Sequence, residues 1–343
     1  MAQTLGLVLL SFFTVSILLV PFINLLYKIK FTRQKQKTRD MFEVRTHIFD
    51  KFHEHKSGIP VGGGALIIFV VTLLYLLTNY LSPLLGVERT SIYPYKQEIN
   101  VILFTFLSFG LLGLYDDLRK TFGFRGVKFW GLRFRVKFIA QWALAFVVAF
   151  MLYFALGINI INITFFDVFN LGIFYIPFAA FTIVAFANAV NISDGLDGLA
   201  SGLILICLTA LLVMSSSILD TTLSIFLGLL IGSLIAFLYF NIWPARIMLG
   251  DVGAMSFGAT LAVAGLLLGK PIGLVIIGGM FILEAGSSLV QILSKSIRKK
   301  RVFEVAPLHL WLQFKGWQEP KIVFRFWLAQ IIFAIFGLWL AFF

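Results

Sequence analysis

Asn188, Asn191, Asp194 and Asp197 recur at intervals of three in NAVNISDGLDG, directly after the apolar run FYIPFAAFTIVAFA. On a helix that continues through them, they form one slowly winding polar stripe. Amides and carboxylates beside a bilayer-length apolar run are costly in hydrocarbon, so they point first to function. Capping is the alternative: Ser193 or Asp194 can start the next helix, which accounts for one or two of these residues but not all four. A second segment, GLYDDLRK from Gly113 to Lys120, sets Asp116 beside Asp117. Neighbouring carboxylates repel unless a cation or metal stands between them. On a helix they point about 100° apart, which suits two different roles; an ordinary solvated helix end is the competing reading.

Three further segments carry groups of the same kind. In NIWPARIMLGDVGAMS, Asn241 to Ser256, Asp251 lies between Gly250 and Gly253 just before an apolar run. There a carboxylate can hold a cation against a phosphate, or simply cap the helix. HKSGIPVGGG, His55 to Gly64, offers Lys56 and a glycine turn suited to close phosphate approach. APLHLWLQFKGWQEP, Ala306 to Pro320, contains His309 in an otherwise apolar stretch. Glu284, beside Gly286, Ser287 and Ser288, either packs against another helix through a hydrogen bond or lines the polar cavity. His47, His53 and His55 lack the spacing of a zinc site.

Oxygen ligands without paired thiolates or clustered imidazoles suit Mg²⁺, and magnesium among lysines suits phosphates. The chemistry this set implies is phosphoryl transfer between a soluble nucleotide compound and a lipid phosphate. It needs a metal to neutralise a pyrophosphate, cations to let two anions meet, and a carboxylate to keep the nucleophile deprotonated.

The elements that must position these groups are membrane helices. Of the 343 residues 60% are hydrophobic and only 13% charged, and the mean hydropathy is +0.97, far from a soluble domain. About ten apolar spans of crossing length are expected near 5–27, 61–82, 99–115, 138–156, 172–190, 201–218, 222–241, 253–269, 272–293 and 321–341. The fold expected is an all-α integral membrane protein, a single polytopic domain over 1–343. The first span shows no cleavage pattern and reads as an anchor. Longer polar connections follow the odd spans, at 28–60, 116–137, 191–200, 242–252 and 294–320, and parity puts all five on one face. These segments, with Lys321 and Arg325, hold 25 of the 28 Lys and Arg residues; only Arg89, Lys96 and Lys270 fall opposite. Basic residues concentrate in the cytoplasm, so the motif segments are expected there and both termini outside. The net charge of +12 is then mostly topology and attraction to anionic lipid. The RKKR run at Arg298 to Arg301 reads as a membrane-edge cluster, with no nucleic-acid partner expected. On this face the triplet Asn191, Ile192, Ser193 is not expected to be glycosylated. A lone Cys207 excludes a disulfide within the chain. No Walker loop, GxGxxG fingerprint, CxxC pair or clear internal repeat is present.

NAVNISDGLDGLASG, GLYDDLRK, FNIWPARIMLGDVGAMSFG and RVFEVAPLHLWLQFKGWQEPKIVFRFW together resemble the signature segments of the phospho-N-acetylmuramoyl-pentapeptide transferases, within the polyprenyl-phosphate N-acetylhexosamine-1-phosphate transferase superfamily. The likeness spans nearly the whole chain, in order. It implies a ten-helix fold, often a homodimer, in a bacterial cytoplasmic membrane. The implied activity is transfer of phospho-MurNAc-pentapeptide from UDP-MurNAc-pentapeptide to undecaprenyl phosphate with Mg²⁺, giving lipid I and UMP. Carried onto this chain, Asp116 matches the base proposed to deprotonate the lipid phosphate and Asp117 its essential neighbour. Asp251 matches the magnesium ligand, with Asp117 beside it as a second candidate. Asn191, Asp194, Asp197, Asn241, Gln291 and His309 match the nucleotide pocket, with Asn188 on the same stripe, and Lys56, Lys120 and Lys137 lie near the phosphates. The chain departs from the family in three places. His309 is followed by Leu310 and Trp311 where the family has a run of histidines; Met248 replaces a phenylalanine associated with uracil stacking; and GIPVGGG replaces GTPTMGG. Direct attack is favoured over an aspartyl intermediate, because a metal and a base suffice for in-line displacement. The rival readings are a sister enzyme that uses UDP-N-acetylglucosamine, and a transporter or non-catalytic homologue. Transport predicts charges near the bilayer midplane, whereas here only Glu284 lies deep.

Overall fold

In the computed structural model the residues described are 2–33, 52, 56–82, 90–123, 134–163 and 167–343. The expected apolar runs are helices. In chain order they are α1 (Ala2–Lys28), α2 (Gly63–Leu81), α3 (Tyr95–Phe122), α4 (Phe134–Phe150), α5 (Tyr175–Ser193), α6 (Leu199–Ser217), α7 (Thr221–Asn241), α8 (Gly250–Leu267), α9 (Pro271–Ile277), α10 (Gly279–Arg298), α11 (Leu308–Phe314) and α12 (Glu319–Phe342). Among the described residues nine helices are long and apolar enough to cross a membrane, and α9 with α10 makes a tenth if the pair is one broken span. A membrane helix satisfies its own backbone in lipid, which is why span existence is legible in composition.

The ninth span differs from the straight helix expected over 272–293. It bends by 78° between α9 and α10 at Gly278. A break inside a bundle frees backbone groups that must find other partners. Here Gln330 of α12 supplies both: its Nε2 donates to the Ile277 carbonyl and its Oε1 accepts from the Met280 N–H at 3.2 Å. Cys207 Sγ adds a contact of 3.3 Å to the same Ile277 oxygen. The chain is also not purely helical. Ile160–Asn162 (β1) and Val168–Asn170 (β2) form a small antiparallel hairpin, Ile161 opposite Phe169, beyond a π-helical turn at Met151–Ala155 that closes α4. Its β-branched and aromatic residues favour strand, and its three-residue strands are far shorter than a bilayer-crossing run.

At the centre stands α8, buried along nearly its whole length. α2, α3, α5 and α6 pack around it, while α1 packs on α7 and α12 on α6 and α9. With lipid as apolar as any side chain, close helix association depends on small residues that let backbones approach. α8 is written in them: Gly253, Ala254, Gly258, Ala259, Ala262, Ala264 and Gly265.

Candidate functional site

The five polar segments meet at one end of this bundle. The approach begins with Gly113 on α3, which lies so near α8 that a Cβ there would collide with the Asp251 carbonyl. α3 runs to Phe122, one to two turns beyond the end expected at residue 115, so Asp116, Asp117 and Lys120 ride on a helix and not in a loop. Asp116 Oδ2 and Asp251 Oδ2 then converge on the same two ammonium groups. Lys120 Nζ is 3.1 Å from Asp116 and 2.8 Å from Asp251. Lys137 Nζ, from the first turn of α4, is 3.1 Å from Asp116 and also contacts Asp251 Oδ2. The Asp116 side chain is only 3% exposed, against 31% for Lys120, so the cluster opens to solvent on the lysine side. Asp117 points elsewhere: its Oδ2 accepts the Val252 N–H at 3.0 Å. It holds the start of α8, where free N–H groups and the helix dipole favour a carboxylate. The two adjacent aspartates thus have different tasks, the consequence of their angular separation on one helix.

Among the described residues no three His, Cys, Asp or Glu side chains form a group that could hold a metal ion. Mg²⁺ asks less: it keeps several waters and is bound through one or two carboxylates plus substrate phosphates. Asp116 and Asp251, converging on a shared positive charge, fit that requirement by donor chemistry. Asp117 Oδ2 is committed to the α8 backbone.

A second cluster lies alongside. The stripe expected through residue 197 breaks, because α5 ends at Ser193 with Asp194 at its C-cap, and Asp197 is redirected by the turn that follows. The Asp197 Oδ1 atom lies 2.7 Å from Lys56 Nζ as an ion pair, and its Oδ2 accepts the Ala245 N–H at 2.9 Å. Lys56 also donates to Glu319 Oε1 at 2.6 Å and to the Gly195 carbonyl at 3.1 Å. Its side chain is only 1% exposed, so a group expected near phosphates is here tied to two carboxylates. Neither Ser193 nor Asp194 caps α6; Gly198 begins it without a side-chain cap.

Other expected residues have structural partners too. Asn188 donates to Gln141 Oε1 and to the Val184 carbonyl. Asn241 accepts from Ser201 Oγ at 2.6 Å and donates to the Ile247 carbonyl at 2.9 Å, bracing the 242–248 segment. Gln291 uses both ends of its amide on the backbone of Val302 and Phe303. Met248 is buried, its N–H donating to Pro60 and its carbonyl accepting from Gly63, so it pins the glycine turn. Asn191 is half-buried in the last turn of α5, near Asp194. His309, fully buried on α11, sits over the 194–197 turn: a Cβ at Gly195 would collide with its Nε2.

Asp194 feels both clusters. Burial, then repulsion from Asp251, raises its carboxyl to about 7, opposed by Arg33 and Lys56. The two clusters therefore share one electrostatic environment.

The chain is similar to known proteins over most of its length. Residues 99–269 match the family model described as Glycosyl transferase family 4. The chain is 36% identical over 282 residues to the phospho-N-acetylmuramoyl-pentapeptide-transferase of Caldanaerobacter subterraneus subsp. tengcongensis, covering 82% of this chain and 84% of that one. It is 32% identical over 292 residues to the protein of that name in Clostridium kluyveri, covering 84% and 86%. With the one in Borreliella burgdorferi identity is 34% over 345 residues, covering 95% and 92%. The chain belongs to the phospho-N-acetylmuramoyl-pentapeptide-transferase family. It is a multi-pass bacterial membrane protein.

Two residues that this family member brings to the candidate site, Arg33 and Glu319, were not singled out for it by sequence, and a third, Glu284, was left between two readings. Arg33 places Nη1 3.5 Å from Met248 Sδ. Burial lowers its pKa, opposed by Asp194, Asp197, Asp251 and Glu319. In sequence it is one of nine basic residues of the first polar segment, with no motif to mark it. Glu319 opens α12, one residue before a proline, a placement that suits an acidic first turn but says nothing of Lys56. Glu284 stood between two readings, and the structure decides it: both its oxygens bind His309, Oε2 to Nδ1 at 2.7 Å and Oε1 to the backbone N–H at 3.1 Å.

Proposed function

We propose that this protein transfers phospho-MurNAc-pentapeptide from its UDP carrier to undecaprenyl phosphate, forming lipid I and releasing UMP. The observation that carries the reading is the convergence of Asp116 and Asp251 on Lys120 and Lys137 at one end of a membrane bundle, with Asp117 fixing the helix from which Asp251 projects. Asp116 keeps the lipid phosphate deprotonated. A lipid phosphate oxygen attacks the sugar-linked phosphorus, the bond to the UMP oxygen breaks, and UMP leaves with the electron pair. One phosphoanhydride replaces another, so the reaction runs near balance. Lys120 and Lys137 let two anions approach and spread the developing charge. Asp251 would hold Mg²⁺, which would supply neutralisation of the pyrophosphate, while Asp117 fixes the first turn of the helix that carries Asp251. Asn188, Asn191, Asp194, Asp197, Asn241, Met248, Gln291 and His309 form or brace the nucleotide pocket, and Lys56 orders its floor through Asp197 and Gly195. A single imidazole, His309, serves where other members of the family have several.

The charge asymmetry supports a cytoplasmic site with both termini outside; a homodimer is what the family resemblance implies. The test is direct. Purified protein given UDP-MurNAc-pentapeptide, undecaprenyl phosphate and Mg²⁺ should release UMP, and Asp251→Ala should abolish turnover. UMP release from UDP-N-acetylglucosamine alone would move the protein to the sister class, and undiminished turnover in the Asp251 variant would remove the metal assignment.

A further inference from the structure

Glu284 is a fully buried carboxylate on a membrane helix, an arrangement that is costly unless the charge is paired and hydrogen-bonded. Both of its side-chain oxygens are directed at one residue. Oε1 accepts the His309 N–H at 3.1 Å and Oε2 lies 2.7 Å from His309 Nδ1, so backbone and ring are gripped together and the ring is left little rotational freedom. With the carboxylate as acceptor, Nδ1 carries the proton. In the neutral ring Nε2 is then the bare nitrogen, and Nε2 is the atom that faces Gly195 between Asp194 and Asp197.

Mere attachment of the 302–309 segment does not require this grip. Gln291 already ties Val302 and Phe303, and Ser287 Oγ accepts the Leu308 N–H at 3.0 Å, capping an α11 whose own N-cap position is a proline without a side-chain bond. Ser287 and Gln291 lie three and seven residues beyond Glu284, on the same face of α10. Of the three, only Glu284 reaches the imidazole.

We propose that Glu284 is a positioning residue for the transfer reaction, setting the tautomer and direction of the His309 ring so that Nε2 is presented to the nucleotide at the 194–197 turn. The proposal rests on the pocket role given to His309 above. Glu284→Gln tests it, because the amide cannot accept at both atoms. If its oxygen keeps the His309 backbone N–H, its NH₂ faces Nδ1 and favours the opposite tautomer. The expected result is a loss of kcat/KM for UMP release of about 10- to 100-fold, taking the range seen when the partner orienting a metal-ligating histidine is removed. The same change should do nothing further in a His309→Ala background. ¹⁵N-histidine NMR on the full-length protein in detergent, with His309→Ala assigning the signal, should show Nδ1–H in the wild type and Nε2–H in Glu284→Gln. That readout needs no turnover, so it separates failure of the positioning claim from failure of the substrate reading. Glu284→Asp is the second variant: it should keep Nδ1–H and retain more activity than the amide. An unchanged tautomer in Glu284→Gln, or losses that add independently to those of His309→Ala, would overturn the proposal.

Discussion

Lys56→Met is the most informative single change, because Lys56 joins three chain segments without touching bulk water. Its ammonium lies 2.7 Å from Asp197 and 2.6 Å from Glu319, and both carboxylates are themselves buried. Methionine has a similar length but no charge. Two buried carboxylates would then lose the ammonium they share, and the Gly195 carbonyl would lose the Lys56 hydrogen bond. Removing one partner of a buried ion pair costs about 3–5 kcal/mol. Unfolding entropy of about 2.1 cal/mol/K per residue, taken over 343 residues, gives about 0.7 kcal/mol/K, so Tm should fall by about 4–7 °C. Thermal unfolding in detergent measures this, and UMP affinity measured in parallel should drop as the 194–197 turn loosens. Lys56→Met with Glu319→Gln should recover part of the loss, because one carboxylate charge is gone as well. A single variant within about 1 °C of wild type, or a double variant less stable than the single, would show that the three charges are not coupled as described.

Gly113→Ala places a methyl group against the Asp251 carbonyl. α3 and α8 must then separate, at the overpacking cost of about 1–3 kcal/mol, and UMP release should fall more than stability does; wild-type turnover would show that this approach does not set the Asp116 to Asp251 geometry. The Asp194 carboxyl, raised to about 7 by burial and by Asp251, binds its proton more tightly folded than unfolded, where its pKa is about 3.9. Its contribution is greatest below the unfolded value and is lost as pH rises through about 7. In Mg²⁺-free detergent the wild type should therefore lose more Tm than Asp194→Asn between about pH 4 and 7, and identical slopes would exclude this titration. With accessible cysteines introduced by Lys270→Cys and Lys299→Cys, membrane-impermeant thiol labelling of whole cells should modify residue 270 and spare residue 299; the reverse would invert the orientation.

What was legible in sequence follows from local physics. An apolar run long enough to cross lipid has little option but to be a helix, so span existence could be read from composition, and α3 outran its expected end because polar residues such as Asp116 and Lys120 extend it beyond the bilayer-compatible run. The motif segments likewise marked residues that now stand together, Asp116 with Asp251 and His309 with the 194–197 turn. Partner identity was another matter. Lys56 and Glu319 lie 263 positions apart, and Glu284 and His309 25 apart across a turn. No local pattern encodes either pairing. Asp117 read as a metal neighbour also proves to hold the first turn of α8, and Gln291 read as a pocket residue is committed to the 302–303 backbone. The break at Gly278 shows the same division. Its glycines were visible, but a kink inside a membrane persists only if another helix satisfies the freed carbonyl. Gln330 meets that need from α12, through space and not along the chain.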